Sequence, residues 1–152
     1  MTSTVILAFL HHAAAFVIVA VLTAELVLLK GELTAVSARS VLRMDAAYGI
    51  AALTLLAIGF LRVFYTEKGA AYYFHSATFL TKIALFIIVG LLSVYPTLQF
   101  LRWRQPLREG RVPVLEPATR RSIRTLVHIE LTLLFAIMLF AVLMARGIGF
   151  LG

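Results

Sequence analysis

The stretch that decides the fold is TVILAFLHHAAAFVIVAVLTAELVLL, at residues 4–29. Only His11, His12 and Glu25 in this stretch carry ionisable side chains. A hydrocarbon core of about 30 Å is crossed by about 20 apolar residues in helical form. The stretch is long enough and apolar enough to predict a transmembrane helix. It lacks a basic leader and a small-residue cleavage site, so we interpret it as a retained span and not as a removed signal.

Three further apolar stretches follow, at about residues 46–63, 76–101 and 123–145. Polar or helix-breaking residues separate them: Lys30-Gly31-Glu32, Glu67-Lys68-Gly69, and a polar run over 102–121 with three prolines. This alternation predicts an all-α fold, an integral membrane four-helix bundle. With no internal repeat and no change in composition, residues 1–152 form a single four-span domain joined by the linker 102–121.

Composition points to the lipid bilayer as the main partner. Hydrophobic residues make up 62% and charged residues 14% of the chain, against about 45–50% and about 25% in soluble domains. The absence of cysteine excludes disulfides and thiolate metal sites. The net charge of +7 comes mainly from one segment between helices, where membrane topology explains it better than nucleic-acid binding.

The distribution of lysine and arginine predicts the orientation in the membrane. Ten of these residues fall on one side of the four spans: Lys30, Arg39, Arg43, Arg102, Arg104, Arg108, Arg111, Arg120, Arg121 and Arg124. Three fall on the other side: Arg62, Lys68 and Arg146. The positive-inside rule then predicts a bacterial inner-membrane protein with both termini periplasmic and a basic cytoplasmic loop at 102–121. That loop also suits anionic lipid head groups.

A first polar layer is predicted near the periplasmic side, formed by His11, His12 and Lys82. At 1.5 Å per residue, all three lie at a similar depth below the same membrane edge. Ionisable side chains inside a span are costly unless they are paired or face a cavity, so they are functional candidates. The alternative is that the histidines lie at the interface and that the lysine extends its stem to the membrane surface.

The residue types of this layer suit haem b. A helical histidine can ligate iron, and we assign His11 as the metal ligand, although the pattern does not tell which of His11 and His12 faces the bundle. Lys82, with Arg62, would neutralise the propionates or a substrate carboxylate, and Lys82 is the candidate catalytic residue. Cofactor binding is thus predicted for His11, His12, Lys82 and Arg62. The side chains of Phe60, Phe79 and Phe86 are candidate walls.

A second polar layer is predicted near the cytoplasmic side. It comprises Glu25, Arg43, Asp45, His128 and Glu130. These residues are typical of a proton relay or an ion network. The alternative is a set of caps and salt bridges at helix ends, since an acidic residue such as Asp45 suits the first turn of a helix. A bis-histidine haem site is disfavoured, because His11 and His128 enter the membrane from opposite faces.

Several motifs resemble a family of small four-span bacterial membrane proteins of unknown function. They are LRMDAAYG at 42–49, FLTK at 79–82, SVYPT at 93–97 and Trp103-Arg104. His11-His12 ahead of Glu25, together with Glu130 and the ending MARG at 144–147, extends the likeness over nearly the whole chain.

A more distant resemblance concerns a histidine early in span one and a lysine early in span three. This pattern is similar to the HemJ-type protoporphyrinogen oxidases, four-span membrane proteins that bind haem b and depend on such a pair. The resemblance implies that His11 is the haem ligand and that Lys82 is the essential lysine. It does not extend to the arginine and second histidine late in span one, where Glu25 is the only ionisable residue.

These observations predict a haem-b-binding inner-membrane redox protein, a candidate membrane oxidoreductase, with its site near the periplasmic side. Its predicted partners are a quinone or a membrane redox protein, and further copies of the same chain in a homo-oligomer. One alternative is a proton-coupled transporter or channel component that uses Glu25, Glu130 and His128. Another is a structural subunit of a larger membrane complex.

Overall fold

The computed structural model describes residues 2–66, 70–149 and 151. Within these residues it contains helices and no strand, which confirms the all-α prediction. The helices are α1 (Thr2–Lys30), α2 (Ala35–Leu61), α3 (Ala70–Phe74), α4 (Ala77–Leu101), α5 (Arg104–Arg108) and α6 (Pro117–Ala145). A wide π-type turn, Arg62–Thr66, continues α2. The four long helices are long and apolar enough to cross a membrane, as predicted.

The second and fourth membrane-spanning helices, α2 and α6, begin earlier than predicted. Helix α2 begins at Ala35 and not near residue 46, because Thr34 forms a capping box with Ser37. The Ser37 amide donates to the Thr34 hydroxyl at 3.1 Å, and the Thr34 amide donates to the Ser37 hydroxyl at 2.8 Å. Helix α6 begins at Pro117, since proline is well suited to a first helical turn. The predicted linker 102–121 is therefore partly helical, with α5 inside it.

The helices pair as two hairpins. Helix α1 packs along α2 and α4 packs along α6, whereas α2 and α4 contact each other only sparsely, so a cleft lies between them. Fully buried side chains, among them Ile18, Leu29, Val41, Phe100 and Ile123, form the core where the hairpins meet.

Large apolar side chains also cover the outside of the bundle. Phe16, Leu53 and Leu91 are 77%, 70% and 68% exposed. Association of helices in lipid does not depend on burying apolar surface, so outward-facing apolar residues are expected there. The surface therefore suits a lipid environment.

Each end of the bundle is tied by hydrogen bonds. At the terminal end, where α1 begins and α6 ends, Ala77 donates to the Gly149 carbonyl and Leu151 donates to the His75 carbonyl, both at 2.9 Å. At the opposite, arginine-rich end, Arg120 donates to the Gly31 carbonyl at 3.2 Å. The assignment of these ends to the two sides of the membrane stays a prediction, and Lys68, which contributed to it, lies outside the described residues.

A tight turn follows α5 at the arginine-rich end. Arg111 donates to the Glu109 carboxylate, and Gln105 donates to it at 3.1 Å. These two hydrogen bonds hold the pKa of Glu109 below its usual range, and the bond from Arg111 makes the larger contribution. Gly110 between them has φ of +73°, a conformation that favours glycine.

The terminal tie predicts a sensitive position at Gly149. Its φ is +86°, and a Cβ there would lie 2.8 Å from Cγ2 of Thr78. Gly147 has φ of +75° but open space around it, so it is a matched control. Either change to alanine incurs the left-handed backbone cost of about 1–2 kcal/mol, and only Gly149→Ala adds a collision. We expect Gly149→Ala to melt at a lower temperature in detergent than Gly147→Ala; equal melting temperatures would contradict this packing.

Candidate functional site

His11 is the histidine that faces the bundle. Its ring packs on α2 at Gly59, where an added Cβ would come within 3.3 Å of the ring atom Cε1. Glycine at that position therefore leaves room for the imidazole. The Nδ1 atom of His11 is buried and has no hydrogen-bond partner among the described residues. A buried polar atom without a partner is uncommon. The backbone of Leu55 on α2 also lies within interaction distance of this imidazole.

His12 has a different environment. Its side chain is exposed, and its Nδ1 lies 2.6 Å from the Ala8 carbonyl, to which it donates. Neighbouring residues on a helix point about 100° apart, so only one of the two histidines can face α2. The cofactor-binding role predicted for both residues is thus structurally available to His11 and not to His12.

Lys82 approaches His11 from α4. Its Nζ lies 5.5 Å from the centroid of the Phe79 ring, a cation–π contact. In the part of the chain that the structure describes, no carboxylate forms an ion pair with Lys82. Arg62, at the end of α2, lies within electrostatic range of both His11 and Lys82. The predicted cations and imidazole are therefore grouped together.

His11 and Lys82 border one cavity in the α2–α4 cleft, which we call the histidine cavity, whereas Arg62 does not line it. Its volume is about 80 Å³. His11 and Lys82 line it together with the three predicted wall residues, Phe60, Phe79 and Phe86. Of the three residues that the sequence places at one depth, His11 and Lys82 border this space and His12 does not.

The second site is a buried group of acids. Glu25 on α1 and Glu130 on α6 are only 2% and 1% exposed. The Oε1 atom of each has no hydrogen-bond partner among the described residues. Asp45 lies within electrostatic range of both carboxyl groups. We call Glu25, Asp45 and Glu130 the acid cluster.

Helix α2 connects the acid cluster to the cleft. The Thr97 hydroxyl of α4 donates to Oδ1 of Asp45 at 2.6 Å. The hydroxyl of Tyr48, one turn after Asp45, faces Ser93 and lies within electrostatic range of Glu25 and Glu130. A cavity of about 420 Å³, which we call the acid cavity, is lined by Asp45, Tyr48, Thr97 and Arg104. Phe86 borders both cavities.

Two predicted members of this layer lie elsewhere. Arg43 and His128 are exposed, and Nδ1 of His128 lies 2.6 Å from the Arg124 carbonyl. Each is two residues from an acid of the cluster, which places it about 200° around its helix. The sequence reading missed Tyr48, although its spacing of three from Asp45 puts both on one helix face.

The described residues contain no group of three or more histidine, cysteine, aspartate or glutamate side chains that could hold a metal ion. A haem iron does not need such a group, because the porphyrin itself supplies four nitrogen ligands.

Comparison with known proteins identifies a family and no function. A family model described as "Predicted membrane protein (DUF2214)" matches residues 3–149. Searches of curated proteins and of solved structures give no match. The match bears out the predicted resemblance to a membrane protein family of unknown function.

Proposed function

We propose that this chain, which belongs to the DUF2214 family of predicted membrane proteins, binds haem b in the histidine cavity and acts as a membrane redox protein. The observation that carries the proposal is the buried Nδ1 of His11, which has no partner among the described residues and belongs to a ring bordering a cavity lined by three phenylalanines and Lys82.

The chemistry of these residues fits the parts of a haem. A bond from the imidazole to iron would satisfy the ring and fix its orientation. The ammonium of Lys82 would neutralise a propionate, and Arg62, within electrostatic range of Lys82, would add to the positive potential. The phenylalanine rings offer an apolar slot for the macrocycle.

The size of the cavity sets a condition on binding. At about 80 Å³ it is smaller than the roughly 300–1,000 Å³ of typical ligand sites. A haem is therefore accommodated only when α2 and α4 separate. The contact between these helices is sparse, so separating them disrupts less packing than separating the two helices of either hairpin. The two hairpins, α1 with α2 and α4 with α6, would move as units.

Bound haem b supplies one-electron transfer. In the proposed site His11 would hold the iron, Lys82 would bind and neutralise the propionate carboxylates, and the aromatic walls would exclude water. Leu56 and Phe60 line the cavity and are exposed on the apolar surface of the bundle, so an electron partner would be a quinone or another membrane protein. We further propose, from the lysine and arginine distribution, that the arginine-rich end lies in the bacterial cytoplasm and the histidine cavity near the periplasmic side.

An absorption spectrum of the purified protein tests the proposal directly. We expect the full chain, purified in detergent from haem-replete cells, to show a Soret band and to change its visible bands on reduction with dithionite. Extracted pigment should match the protein in a ratio near one to one. A colourless preparation that also fails to bind added haemin would overturn the proposal.

A further inference from the structure

We propose that Glu25 and Glu130 form a proton-binding site within the bundle, and that this site exchanges protons with water at the arginine-rich end through Tyr48 and Asp45. The proposal concerns a second site, apart from the histidine cavity. Its ligand is the proton, and the site is present whether or not haem binds.

The burial of the two acids is the first step of the argument. Both side chains are more than nine-tenths buried, and each has an oxygen without a hydrogen-bond partner in the described part of the chain. Among the described residues no lysine or arginine forms an ion pair with either. An ionised carboxylate inside a membrane bundle is very costly without a cation, so each acid is expected to retain a proton.

The groups that face the pair on the other helices do not supply a compensating charge. Helix α2 contributes Asp45 and Tyr48, both of which would repel the pair if ionised. Helix α4 contributes the hydroxyls of Ser93 and Thr97, which carry no charge. Arg104 lies within electrostatic range of Asp45, at the outer edge of the group. The environment therefore favours neutral acids over anions.

A route to water follows from the acid cavity. Asp45 and Tyr48 line this space, and Arg104 lines it toward the arginine-rich end. Asp45 is only half-buried, whereas Tyr48 is 7% exposed and within electrostatic range of Glu25 and Glu130. A phenolic hydroxyl both donates and accepts hydrogen bonds. Tyr48 is thus suited to pass a proton between the cavity and the buried pair.

The transfer can be written with its protons balanced. When Glu130 is ionised, the Tyr48 hydroxyl donates its proton to that carboxylate, directly or through one water. The tyrosine regains a proton from protonated Asp45, and a hydronium ion at the arginine-rich end then reprotonates Asp45 and becomes water. One O–H bond breaks and one forms at each step, no electrons are transferred, and the net change is the uptake of one proton from water.

Infrared spectroscopy of the full chain in lipid nanodiscs tests the proposal. We expect a carbonyl band of protonated carboxyl groups at neutral pH. The band should weaken in Glu25→Gln and in Glu130→Gln, and should be unchanged in Glu32→Gln, where an exposed acid is replaced. In D₂O the band should shift quickly in the wild type and several-fold more slowly in Tyr48→Phe. Tyr95→Phe, at an exposed tyrosine, should exchange at the wild-type rate.

The opposing outcomes are equally distinct. Absence of the band at neutral pH in the wild type, or a band of undiminished intensity in the Glu25→Gln and Glu130→Gln double variant, would overturn the site. A band that does not exchange, or exchanges at one rate in the Tyr48→Phe and Tyr95→Phe variants, would overturn the route. If the glutamine variants fail to assemble, Glu130→Asp should shift the band frequency. A colourless protein that still shows these bands would separate this inference from the haem proposal.

Discussion

Replacing His11 by alanine is expected to abolish the Soret absorbance of the purified protein. The imidazole is the side chain at the histidine cavity whose buried nitrogen has no hydrogen-bond partner among the described residues, and it is the ligand that would hold iron. Gly59 leaves the space for this ring, so alanine at position 11 would leave that space empty and would remove the nitrogen ligand for iron. Absorbance spectra of equal amounts of protein, with circular dichroism to verify helix content, measure the loss.

The neighbouring histidine supplies the matched control. His12 is exposed and hydrogen-bonded to its own helix, so His12→Ala should keep the absorbance of the wild type. Equal loss in both variants would indicate a general effect on the protein. Loss in His12→Ala alone would assign the ligand to the outward histidine and contradict the proposed site.

Replacing Lys82 by methionine is expected to weaken haem binding by roughly 10–100-fold, since hydrogen bonds to charged groups contribute about 1.5–3 kcal/mol and about 1.4 kcal/mol is a factor of ten. Methionine preserves the length and apolar character of the stem and removes the charge. The ammonium has a cation–π contact with Phe79 and no carboxylate partner among the described residues, so its charge is available to a ligand.

The arginine variant separates charge from shape. Lys82→Arg should retain most of the affinity, because a guanidinium also pairs with carboxylates. Titration of the haem-depleted protein with haemin gives both dissociation constants. Wild-type affinity in Lys82→Met would contradict a role for this lysine at the propionates, and would leave the role of His11 to be judged on its own variant.

The number of helices and their membrane character could be predicted from apolar length alone. Their beginnings could not. The first turns of α2 carry Arg39 and Arg43, so a search for apolar residues stops at residue 46, while the Thr34 cap extends the helix to Ala35. Hydropathy indicates where a helix enters the lipid, whereas the capping residue determines where the helix itself begins. The same distinction accounts for the early start of α6 at Pro117.

The depth of the site residues in the membrane could be predicted from the sequence, but the direction in which each side chain points around its helix could not. Counting residues from the helix starts gave His11 and Lys82 a common level, and the structure places both at one cavity. Depth does not fix which face of a helix meets its neighbours. The choice of His11 over His12, and the separation of His128 from Glu130, depend on that rotation. Tyr48 was missed because a single aromatic residue in a span is more often packing than chemistry.

The bond between Thr97 and Asp45 has a mechanical consequence for the cleft. It joins α2 to α4 close to the arginine-rich end, while the helices touch only sparsely elsewhere. Because α2 and α4 are joined near the arginine-rich end, they would separate most at the opposite end. A ligand would therefore enter the cleft there, from among the acyl chains of the bilayer. The oxygen that accepts this hydrogen bond belongs to the carboxyl group of Asp45. The protonation state of Asp45 at the arginine-rich end would therefore affect how far α2 and α4 separate at the other end.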